Sequence, residues 1–123
     1  MKLRVARHTN NLQPLINFYT SILGLQVIGD FKDHAGYNGV FIGNKNSAWH
    51  LEFTESEEQP NHHADDDDML VFYVSTEEYK TIIERTAAAN IQTVEPKNPY
   101  WQQNGITLPD PDGFRVVITI AAY

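Results

Sequence analysis

The sequence predicts an α+β fold: two tandem βαβββ modules whose strands form a curled mixed sheet around a shared cavity. Three observations carry this. The order strand, helix, three strands occurs twice in the 123 residues. An acidic stretch without hydrophobic periodicity separates the two occurrences. The helix-to-strand junctions also align, with Leu23-Gly24-Leu25-Gln26-Val27-Ile28 matching Ala89-Asn90-Ile91-Gln92-Thr93-Val94. A repeat of this size cannot bury its own sheet face, so the two copies are expected to pack together as one domain.

In the first module (residues 1–55), Leu3 to His8 reads as a strand. Asn10 or Asn11 is placed to cap a helix, and Pro14 suits its first turn. Leu12, Leu15, Ile16, Tyr19 and Leu23 keep helical spacing, and Gly24 follows as a residue that accepts positive φ. Leu25 to Phe31, Tyr37 to Ile42 and Ala48 to Thr54 read as three strands, with Gly36, Gly39 and Gly43-Asn44-Lys45-Asn46 supplying turns.

Residues 56–68 read as a solvated connector. Seven of the 16 acidic residues (Glu55, Glu57, Glu58 and Asp65 to Asp68) lie between Glu55 and Asp68, where there is no Lys or Arg. Elsewhere nine acidic residues balance nine basic ones, so the formal charge of −7 is local and argues against nucleic-acid binding. His62 and His63 beside the aspartates also form a conceivable metal cluster, although short polar runs usually only link elements.

In the second module (residues 69–123), Met69 to Val74 is a strand. Ser75 with Glu78 forms a capping-box pattern. Tyr79, Ile82, Ile83 and Thr86 continue the helix to Ala89-Asn90. Strands are expected at Ile91 to Val94, Ile106 to Leu108 and Phe114 to Ile120, the last after the turn Pro109-Asp110-Pro111-Asp112-Gly113.

Composition bounds the function. Hydrophobic residues at 41% and charged residues at 20% are globular values. No apolar run approaches the roughly 20 residues that span a bilayer. The N-terminal residues lack a signal-peptide core, so a cytoplasmic location is expected. The absence of cysteine excludes disulfides, thiolate metal sites and cysteine nucleophiles. No nucleophile elbow or phosphate-binding glycine loop is present.

Phe18-Tyr19 followed by Ile22-Leu23-Gly24-Leu25 resembles the helix-to-strand signature of the vicinal oxygen chelate superfamily. Asp110-Pro111-Asp112-Gly113-Phe114 resembles its second signature, the turn before the last strand. The resemblance covers essentially the whole chain and extends to its bleomycin-resistance-like members. It implies the glyoxalase/bleomycin-resistance fold, a cavity and a homodimer. Metal-dependent members take ligands from the first and last strand of each module. Carried over, those positions fall on Arg4, Glu52, Met69 (or, one residue earlier, Asp68) and Val117. Arginine has no lone pair to give, and of the others only Glu52 clearly suits a cation.

The expectation is therefore a small-molecule binding protein without the standard metal site and with no cofactor. It would sequester a planar ligand or drug. Arg4, His8, His50 and Glu52 are the candidate polar anchors, and Tyr100 and Trp101 sit on an irregular loop at the cavity mouth. Arg4 and Glu52 either pair inside the cavity or point outward separately. Trp101 either stacks on the ligand or plugs the core or dimer interface. Tyr37, Phe41 and Trp49 belong to strands that curl round the first half of the cavity. Alternation places His50 and Glu52 on one strand face, and Arg4, Ala6 and His8 on another. The alternative is thus a divalent metal ion held by His8, His50 and Glu52 in an isomerase, lyase or dioxygenase. A scaffold whose cavity is filled by its own side chains is the third possibility.

Overall fold

The first element, β1 (Leu3–His8), leads into a helix that Asn11 caps by accepting a hydrogen bond from the Gln13 amide. The structure, a computed structural model, describes residues 1–122. The helix begins as α1 (Leu12–Asn17) and widens into a π-helix over Phe18–Ile22. The Thr20 hydroxyl donates back to the Ile16 carbonyl, and Leu23 N–H reaches the Phe18 carbonyl five residues earlier. Such a bulge rotates the following side chains, and Phe18, Tyr19 and Ile22 are all buried. Gly24 ends the helix at φ +79°.

Three strands follow: β2 (Gln26–His34), β3 (Tyr37–Gly43) and β4 (Trp49–Glu55). The sheet order is β1-β4-β3-β2, with β1 parallel to β4 and the other pairs antiparallel. One sheet face packs on the helix. Leu15, Tyr19, Ile42, Leu51 and Phe53 are buried there, and the Tyr19 and Phe53 rings lie 5.1 Å apart. Each such side chain contributes about 1.5–3 kcal/mol. The opposite face carries the candidate site. The sequence reading of Gly39 as a turn residue is corrected: it sits inside β3 opposite Phe31, and Gly36, at φ +85°, occupies the turn.

The chain divides into two compact units, Met1–His62 and the residues from His63 onward. In the second, β5 (Met69–Tyr73) precedes α2 (Thr76–Ala88), whose N-terminus is closed by the full Ser75–Glu78 capping box. Asn90 takes the left-handed position at φ +55°, as Gly24 does in the first unit. β6 (Ile106–Pro109) and β7 (Arg115–Thr119) complete a three-stranded sheet of order β5-β7-β6. Again the first strand runs parallel to the last.

Two expectations fail here. Ile91 to Val94 is not a strand. Ile91 N–H is taken by the Thr86 carbonyl, Val94 N–H bonds Thr107, and Pro96 has no N–H to extend a ladder. Tyr100 and Trp101 lie not on an irregular loop but in a short helix, α3 (Pro99–Gln103). Asn98 caps it and Pro99 opens it, an arrangement suited to a helix start.

Beyond β4 the acidic stretch is largely exposed and contains no helix or strand, and a few hydrogen bonds and an ion pair tie it down. His62 Nε2 donates to the His8 carbonyl at 2.7 Å. Asp65 and Asp68 close a turn on each other, and Asp66 pairs with Arg115 at 3.3 Å.

Candidate ligand site on the first sheet

Register builds the site. In the parallel β1–β4 pair, Arg4 lies beside His50, Ala6 beside Glu52 and His8 beside Thr54. In β3, Gly43 stands opposite His50, Phe41 opposite Glu52 and Gly39 opposite Thr54. In β2, Gly29 and Phe31 stand opposite Phe41 and Gly39. Side chains at these positions emerge on one face.

Arg4 is the hub. Its Nε–H donates to His50 Nε2 at 2.9 Å, and Nη1 reaches Glu52 Oε2 at 3.3 Å. Its guanidinium carbon lies 4.7 Å from the centre of the Phe41 ring, a favourable cation–π arrangement. The Arg4 side chain is 50% exposed and that of Glu52 15%, while His50 as a residue is 8% exposed. Because a guanidinium only donates, His50 Nε2 must accept, and the ring proton of the neutral imidazole then resides on Nδ1. That Nδ1 is buried and has no hydrogen-bond partner among the described residues.

Beside this polar cluster the rings of Phe31 and Phe41 lie over the sheet, 5.8 Å apart. Glycine makes this possible. A Cβ on Gly29 would stand 3.0 Å from Phe41, and one on Gly39 would press into the Phe31 ring. Phe41 also meets His50 edge-on at 5.8 Å. Sequence reasoning missed Phe31, although a glycine within a strand pattern signals close approach.

The predicted site residues are thus divided. Arg4, His50 and Glu52 come together. His8 does not join them: its Nδ1 meets the Thr54 hydroxyl at 2.8 Å, and its Nε2 faces Ser56 Oγ and the Glu58 carbonyl, both at 3.1 Å. His8 therefore fastens the start of the acidic stretch. Among the described residues no group of three or more His, Cys, Asp or Glu side chains is placed to hold a metal ion. Tyr100 and Trp101 belong to the second unit, their ring centres 4.7 Å apart and edge to face. Tyr37 packs edge-on against His8, and Trp49 is half-buried.

The register also tests the carried-over ligand positions. Glu52 pairs with Ala6, two residues beyond Arg4, and Val117 pairs with Val71, two residues beyond Met69. The four positions are equivalent within their modules, and Val117 is fully buried. An arginine, a methionine and a valine at three of them do not fit a divalent cation.

Comparison with known proteins agrees with the architecture. The chain has the fold of the vicinal oxygen chelate superfamily. It superimposes on glyoxalase I of Leishmania major with a TM-score of 0.76 at 19% identity, covering 97% of this chain and 85% of that one. The fosfomycin resistance protein FosX of Mesorhizobium loti gives a TM-score of 0.71 at 8% identity, with 97% and 90% covered. At such identities the likeness is of fold alone. The chain belongs to the YycE-like family. Residues 3–54 match the YycE-like N-terminal domain and residues 67–119 the YycE-like C-terminal domain. It is 42% identical over 120 residues to the protein YycE of Bacillus subtilis (strain 168), spanning 94% of this chain and 85% of the relative. A crystal structure of a YycE protein of unknown function from Bacillus subtilis superimposes with a TM-score of 0.87 at 40% identity, with 99% and 90% covered.

Proposed function

We propose that this chain is a small-molecule binding protein of the glyoxalase/bleomycin-resistance type, in which the Arg4 guanidinium serves in place of a metal ion. The hydrogen bond from Arg4 Nε to His50 Nε2 at 2.9 Å carries the reading, because it occupies the lone pair through which His50 would ligate a cation. The ligand is planar and partly apolar. It lies on the Phe31 and Phe41 rings, with Arg4 and Glu52 as a charged anchor pair. The working form is a cytoplasmic homodimer that sequesters its ligand.

Metal analysis of untagged protein tests the central point. No stoichiometric divalent ion is expected. A bound ion that disappears in Glu52→Ala would overturn the proposal in favour of the metal-dependent reading. A planar ligand found by calorimetric screening should bind Phe31→Ala about tenfold more weakly, as loss of one stacking surface implies.

A further inference from the structure

A second feature of the first unit adjoins the Arg4 cluster through His50. Where the β3–β4 turn meets the chain before β1, Lys2, Asn44, Lys45, Asn46, Ser47 and His50 line an open cavity of about 470 Å³. Two lysines, two asparagines and a serine line it, and no carboxylate does. That is notable in a chain with 16 acidic and nine basic residues. Neither lysine forms an ion pair with a carboxylate among the described residues. His50, nine-tenths buried in the lining, has a ring nitrogen with no acceptor. A buried donor left unmatched is costly. Ile28 and Trp49 provide an apolar wall.

We infer that this cavity binds a phosphate-type oxyanion. The donor set decides between anions. A carboxylate is best gripped by the planar fork of an arginine, and the lining contains none. Lysines are point charges with freely rotating donors, and together with amide and hydroxyl side chains they suit a tetrahedral ion. The cavity is larger than a lone phosphate fills, which leaves room for an ester substituent against Trp49. This site does not depend on the ligand proposed above.

The test is a titration of protein without an N-terminal tag, using inorganic phosphate at constant ionic strength and following backbone amide and imidazole NMR signals. Saturable shifts are expected at Lys2, in the β3–β4 turn and at His50 Nδ1–H. The double variant Lys2→Gln/Lys45→Gln should bind at least tenfold more weakly, while Lys80→Gln, an exposed lysine on α2, should bind unchanged. Shifts that never saturate, or equal weakening by Lys80→Gln, would overturn the inference. A parallel titration with phenyl phosphate identifies the source. Tighter binding than inorganic phosphate marks an organic ester as the occupant, and equal binding marks the free ion; either supports the site.

Discussion

Without Arg4, His50 Nε2 and Glu52 Oε2 lose the donors that now reach them at 2.9 and 3.3 Å. The two losses differ in weight. The ion pair is half-exposed on the arginine side, and such pairs contribute at most about 1 kcal/mol. The histidine is nearly buried, and an acceptor stranded there costs about 1–3 kcal/mol. Arg4→Met keeps an apolar stem over Phe41, so urea unfolding should show a loss of about 1–3 kcal/mol. Arg4→Lys should recover little of it, because one ammonium cannot reproduce donors fixed in a planar fork. A variant as stable as the parent would show that the cluster contributes nothing. At this scale the sequence was partly legible. The resemblance put Arg4 and Glu52 at facing ligand positions as a pair. It gave no sign that His50, 46 residues away, would be the closer partner, because that depends on the register of two parallel strands.

The elements were more legible, since caps and breakers act over a few residues. Asn11, the Ser75–Glu78 box, Gly24 and Asn90 all do what local chemistry predicts. The failures arose where a local preference met a competing demand. Pro96 and the closing bond of Ile91 removed a strand, and the Asn98–Pro99 start turned a loop into a helix. Two variants separate a local role from a packing role. Ser75→Ala should cost about 1 kcal/mol, the usual loss for an N-cap. Gly105→Ala should cost about 1–3 kcal/mol, as overpacking does, because its Cβ would collide with the Ile118 backbone carbonyl, which cannot swing aside. Thermal unfolding by circular dichroism checks both, and a neutral Gly105→Ala would contradict the close approach of β6 and β7.

At the scale of the whole chain, the concentrated negative charge is the main electrostatic feature. Asp66 and Asp67 direct it toward Arg115 at 3.3 Å and Lys97 at 3.9 Å, both on the second unit. The aspartates and Lys97 are largely exposed, so these pairs are weak and screened by salt. Asp66→Asn should therefore cost less than about 1 kcal/mol in dilute buffer. The difference should vanish in about 1 M salt, where the screening length is about 3 Å. A cost that persists at high salt would show that Asp66 acts through something other than its charge.

The sequence by itself determined the repeated modules, their helix ends and the tight Asp110 turn, where Asp110 Oδ1 accepts from the Asp112 and Phe114 amides. Each depends on residues close together in the chain. The resemblance to the vicinal oxygen chelate signatures also pointed to Arg4, Glu52, Met69 (or Asp68) and Val117. The register makes Arg4, Glu52, Met69 and Val117 equivalent within their modules. Only tertiary structure decided which side chains meet. Strand register gave the His50 lone pair to Arg4, directed His8 to Ser56 and Glu58, and laid Phe31 over a bare Gly39. Contacts across neighbouring strands follow from how the strands align, and no local pattern of residues encodes that alignment.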